Sequence, residues 1–195
     1  MKFNLHEAFD LVEDTVRSTS DIREGMNRLL DSCDVNLPNP VWAKIRNLDF
    51  EDDALNLKSW LEDVLSNEHP SREINAFWFG LFNPVLEGGE TSCRLYISGS
   101  NKFNHEDQTA AWTTWDKSSY LPEGRYANSK ALHEIYRLVE ESNALGDGEY
   151  ILCLGYACLV VKAICNSLNP KLLFGELGKR AIAVGFDSGD FIILD

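Results

Sequence analysis

The first seventy residues place their apolar side chains at helical spacing. Leu5, Ala8, Phe9, Val12 and Val16 recur at i, i+3, i+4, i+7 and i+11, one stripe of an amphipathic helix. Asn4, with Glu7 three residues later, predicts a capping box at its start. Ser18-Thr19-Ser20 interrupts the pattern. Asp21, again followed at the third position by a glutamate, Glu24, caps a second stripe of Ile22, Met26, Leu29, Leu30 and Cys33. The prolines of "NLPNP" end that helix, because each disfavours helical backbone in the residue before it. A third stripe, Leu57, Trp60, Leu61, Val64 and Leu65, follows the carboxylates Glu51, Asp52 and Asp53, which suit the positive end of a helix dipole.

At Ser71 the period changes. "EINAFWFGLF" is nearly all apolar and rich in aromatics, the pattern of a strand buried on both faces. A Gly88-Gly89 turn leads to "CRLYISGS", which sends Cys93, Leu95 and Ile97 to one face and Arg94, Tyr96 and Ser98 to the other. "TAAWTTW" reads as a third strand. Leu132, Ile135, Tyr136 and Val139 mark another helix, capped at Asn128 or Ser129 and stopped by Gly146. "EYILCLGYACLVVKAICNSLNP" has the length of a buried helix, although Tyr150 to Leu154 could begin as strand. "RAIAVGF" and "DFIIL" around "DSG" read as a C-terminal β-hairpin. The expectation is one α+β domain over 1–195: N-terminal helices over 1–70, then an antiparallel sheet of about five strands with helices covering one face.

Charge narrows the partners. The net charge is -13, with 7 Lys+Arg against 15 Asp+Glu in residues 1–70 and 11 against 16 in the remainder. Binding a nucleic acid depends on Lys and Arg neutralising phosphates, so no nucleic acid is expected, and no anionic membrane surface. A basic protein partner fits this balance. Glu7, Asp10, Glu13 and Asp14 stand where a secretory leader needs an apolar run, and the apolar segment Tyr150–Val161 is short for a bilayer. Five cysteines without paired spacing suit reduced thiols, and together these features predict a cytoplasmic protein.

No motif for catalysis emerges. Cys153, Cys158 and Cys165 lie among Leu, Ile and Val, without the C-x-x-C spacing of a zinc site. Of the histidines, only His105-Glu106-Asp107 clusters potential ligands, and adjacent residues rarely point at one ion. The glycines match neither a P-loop nor a dinucleotide fingerprint, and no G-x-S-x-G elbow occurs. No catalytic residue, metal or cofactor is expected.

The segment "AAWTTWDKSSYLPEGRYANSK" stands out instead. Trp112 and Trp115 serve packing at least in part, while Tyr120, Arg125 and Tyr126 flank a Pro122-Glu123-Gly124 turn. Trp, Tyr and Arg are enriched at protein-binding hot spots because they bury much area and keep a polar handle. Small, acidic, α+β and without catalytic motifs, the chain resembles in general look the bacterial immunity proteins that neutralise nuclease toxins. The likeness covers no motif and carries no residue over. It implies an inhibitor that steers electrostatically to a basic cleft. Glu51, Asp52 and Asp53 would then supply charge, and Trp115, Tyr120, Arg125 and Tyr126 the anchors. The alternative is a small-molecule-binding or hydrolytic enzyme with a pocket beneath Trp112–Tyr126, where Asp116, Glu123 and Arg125 are the nearest polar groups.

Overall fold

The Asn4 side chain accepts the Glu7 N–H at 2.9 Å and the Glu7 carboxylate accepts the Asn4 N–H at 3.2 Å, so the expected capping box starts α1, Leu5–Ser18. Asp21 accepts the Glu24 N–H and starts α2, Ile22–Asn36. Asp49 does the same for α4, Phe50–Asn67. Between them lies a short helix absent from the sequence reading, α3, Val41–Arg46, whose three inward residues, Val41, Trp42 and Ile45, are too few to show a period. The computed structural model describes residues 4–104, 106, 109–175, 179–187 and 189–194, so the His105 and Asp107 of the possible ligand cluster lie outside the described residues.

The sheet departs from the expectation in two ways. Among the described residues it has four strands, β1 (Ala76–Phe82), β2 (Arg94–Ser100), β3 (Ala181–Phe186) and β4 (Phe191–Leu194), in the order β2-β1-β3-β4. It is also mixed: β1 pairs antiparallel with β2, but parallel with β3 in the register Ala76↔Ala181 to Leu81↔Phe186. The C-terminal hairpin of β3 and β4 forms as expected. Short turns set strand direction only within hairpins. β3 instead arrives through α5 (Lys130–Glu141), α6 (Asp147–Ser167) and α7 (Pro170–Phe174), a connection long enough to return the chain parallel to β1.

"TAAWTTW" is the second correction. Residues Ala110–Thr113 form a 3₁₀ turn capped by the Thr109 hydroxyl, not a strand. The outer edge of β2 is covered by a later segment. Tyr120 and Gly99 exchange both backbone hydrogen bonds at 2.9 Å, Ile97 donates to the Arg125 carbonyl at 3.0 Å, and Ala127 donates to that of Leu95 at 2.9 Å. The aromatic loop therefore blunts a sheet edge that would otherwise stay open to pairing.

Alternation along the strands makes two cores. Phe77, Phe79, Leu81, Leu95, Ile97, Ile182 and Val184 face the helices, where α6 lies on the sheet and α1, α2 and α5 pack around α6. Every residue from Ile151 to Val161 is buried, which explains why α6 has no polar face. By length and composition α6 could cross a bilayer, but 72% of its apolar stretch is buried inside the fold. The opposite sheet face carries a smaller core of Ala76, Trp78, Tyr96 and Ala183, closed by Trp112.

Candidate functional site

The outer sheet face is built around two glycines. Gly80 and Gly185 are register partners on β1 and β3. A Cβ on Gly80 would stand 2.3 Å from the Tyr96 ring, so the missing side chain is what lets that ring lie across β1. The Tyr96 hydroxyl then accepts from Trp78 Nε1 at 3.0 Å and donates to Asp187 Oδ1 at 2.5 Å, in the turn between β3 and β4. Burial, and then that carboxylate bond, push the Tyr96 hydroxyl well above the usual tyrosine range, so it stays a donor.

On this base stand the exposed aromatics. Trp115 meets Tyr96 edge-on at 5.6 Å, and Tyr126 packs against Phe82 at 5.5 Å. Trp115 is 41% and Tyr126 46% exposed. The Arg125 guanidinium lies over both rings, 5.5 Å from Trp115 and 4.8 Å from Tyr126, and donates to the Pro122 carbonyl at 3.0 Å. Cation–π contact thus draws the two rings and the guanidinium together as one platform.

The other residues singled out in the sequence are distributed differently. Trp112 is wedged edge-on against Trp78, Phe103 and Phe191 and is a core residue. Tyr120 is a pin: its ring packs on Phe77 and its hydroxyl donates to the Glu68 carbonyl at 2.7 Å. Glu51 is exposed but bound by Arg23, and Asp52 is exposed and accepts from Asn56. Asp53 is buried, 2% exposed, and accepts from the Ser129 hydroxyl at 2.6 Å, the Lys130 N–H at 2.7 Å and the Tyr156 hydroxyl at 2.7 Å. Its helix position turns it inward, away from its two neighbours, so it fastens α4 to α5 and α6. Asp116, beside the platform, is held far below the usual carboxylate range by Lys102 and by the hydroxyl and N–H of Ser118, which disfavours it as a base.

Sequence reasoning missed the neighbouring hollow. At the carboxyl ends of the parallel pair β1 and β3, and beside the start of α6, lies a cavity of about 540 Å³ lined by Phe82, Asn83, Glu149, Tyr150, Asp187 and Asp190 among others. Asn83 donates to Glu149 at 2.5 Å, and the Tyr150 hydroxyl donates to Asp190 at 2.7 Å while its ring stacks on Phe186. Among the described lining residues are three carboxylates and no lysine or arginine. Asp187 links the hollow to the platform through Tyr96, and Phe82 lines one and packs in the other. In sequence these groups lie in a turn, a first helical turn and an Asn-Pro pair, each with an adequate local explanation. Only the parallel pairing of β1 and β3 gathers them.

Fold and surface together define a mixed α+β protein with an aromatic platform on the outer sheet face and an acidic hollow at the strand ends beside α6. No protein-family model matches the chain, and no curated protein or solved structure matches it.

Proposed function

We propose that the protein is a binding module for a basic protein, of the inhibitor or toxin-immunity type. The observation that carries this reading is the juxtaposition of Trp115 and Tyr126, large aromatics packed together while 41% and 46% exposed, with the carboxylates of Glu149, Asp187 and Asp190. A rigid aromatic loses little entropy on binding and buries much apolar area, the property of a hot spot. Three carboxylates beside it complement lysine or arginine on the facing surface, and the net charge of -13 steers such a partner inward. The same charge disfavours nucleic acid and anionic membrane as alternatives. Five free thiols, four of them buried, fit a reducing compartment such as the cytoplasm.

In this reading the hollow supplies most of the acidic contribution. At the start of α4 Glu51 is already paired and Asp53 is enclosed, which leaves Asp52 exposed there to add to it. The anchors are Trp115, Arg125 and Tyr126, with Tyr120 holding their loop in place.

The test is affinity capture from a lysate of the native host at low and high salt. It compares wild type with a folded Trp115→Ala/Tyr126→Ala variant and a folded Asp187→Asn/Asp190→Asn variant. The expected result is a basic protein retained by wild type at low salt, released at high salt, and lost from both variants. Capture that ignores salt and both variants would overturn the reading.

A further inference from the structure

A second hollow lies at the other end of α6, enclosing about 500 Å³ within the size range of small-molecule sites. Its walls are apolar: Leu168 beyond α6, Phe174 on α7, Ile182 on β3, and Ile193 and Leu194 on β4. Three basic residues, Lys162, Lys179 and Arg180, border it, and no carboxylate is among its described lining residues. In a chain with 31 acidic against 18 basic residues, that local balance runs opposite to the whole.

Arg180 gives the hollow its direction. The residue is only 8% exposed, and its guanidinium donates to three backbone carbonyls: Ile74 at 2.8 Å, Leu173 at 2.5 Å and Ser71 at 3.2 Å. Its flat face lies over the Phe77 ring at 5.3 Å. These partners are dipoles and a quadrupole, and among the described residues none brings a negative charge. A buried cation held only by neutral groups gains from an anion placed beside it. Lys162 is fixed nearby, donating to the carbonyls of Val16 and Thr19 at the end of α1. Lys179 is exposed on the rim, with no partner among the described residues.

We propose that this hollow binds a small amphipathic anion, an aliphatic carboxylate whose head group meets Lys179 and Arg180 and whose tail lies against Leu168, Phe174, Ile182 and Leu194. A fully polar anion leaves the apolar walls uncovered, and a cationic amphiphile meets three like charges. The site is independent of the basic-partner reading, since Tyr150 in the acidic hollow and Cys165 here are separated by about 22 Å along the helix.

The experiment is a titration of methyl-labelled full-length protein with dodecanoate, followed by NMR. Dodecyltrimethylammonium serves as the tail-matched cation. Dodecanoate is expected to shift the methyl signals of Leu168, Ile182 and Leu194 saturably, and the ammonium compound to leave them in place. Lys179→Glu, an exposed change that leaves the core intact, should weaken dodecanoate by at least about tenfold, the effect of reversing a charge close to the head group. Arg180→Met serves only as a second variant if its melting curve shows a folded protein. Equal shifts from both amphiphiles, signals scattered over the molecule, or unchanged affinity in Lys179→Glu would each overturn the proposal.

Discussion

Removing the Asp53 side chain tests how three helices are joined. Its carboxylate accepts three short hydrogen bonds, from Ser129, Lys130 and Tyr156, at 2.6 to 2.7 Å. In Asp53→Ala those donors lose their acceptor unequally. Lys130 is exposed, so water can replace the carboxylate on its N–H. Tyr156 is fully buried and its hydroxyl has nowhere else to go; burial and Asp53 together already hold that proton well above the ordinary tyrosine range. Stranding a buried donor costs about 1–3 kcal/mol, and bonds to a charged acceptor lie in the upper part of that range. One fully stranded donor, one partly stranded donor and one rehydrated donor bring Asp53→Ala to about 3–4 kcal/mol. Tyr156→Phe removes a donor but leaves the carboxylate two others, so about 1 to 1.5 kcal/mol is expected. The assay is urea unfolding followed by tryptophan fluorescence, comparing midpoints at constant slope. Because the two residues share a bond, the double variant should lose less than the sum, with a coupling of about 1–2 kcal/mol. A cost below about 1 kcal/mol for Asp53→Ala, or strict additivity with Tyr156→Phe, would refute the network as drawn.

Three further outcomes follow from the packing. Gly80→Ala places a methyl 2.3 Å from the Tyr96 ring, and overpacking of this kind costs about 1–3 kcal/mol. It should also displace Trp115 and reduce partner capture, whereas unchanged stability would mean that Tyr96 can move aside freely. Burial pushes the thiols of Cys33 and Cys165 up to about 12 from 9.0. A raised folded-state value favours the folded state fully below the unfolded value, so this contribution falls as pH rises from about 9 towards 12. Stability should decline over that window, less steeply in Cys33→Ala compared with its own neutral-pH value. At pH 8 a thiol reagent should titrate the native protein slowly and all five cysteines rapidly in denaturant.

The helices were legible because their signals are local. A stripe at 3.6-residue spacing and a capping residue at a fixed offset determine α1, α2, α4 and α5 from neighbours within one or two turns. The same holds for the β3–β4 hairpin and for the alternation that sends Leu95 and Tyr96 to opposite faces. "TAAWTTW" misled because its aromatics resemble strand residues, while the Thr109 cap and the Ala110-Ala111 pair favour a helical turn. Its two tryptophans, read together as packing residues at least in part, differ in the fold: Trp112 is core, and Trp115 is open.

What sequence alone determined, then, is α1, α2, α4, α5 and the strands β1 to β4 with their inward faces, and the overall acidity, but neither α3 nor the turn at Ala110–Thr113. Tertiary structure decided that β3 lies parallel to β1, that Asp53 turns inward while Glu51 and Asp52 do not, and that Asp187 reaches Tyr96 across two glycines. Caps and stripes depend on residues a few positions apart, so the chain itself carries them. Glu149 meets Asn83 across 66 positions, and Tyr96 meets Asp187 across 91. Contacts of that range exist only once the helices between β2 and β3 have folded onto the sheet and brought its strand ends together.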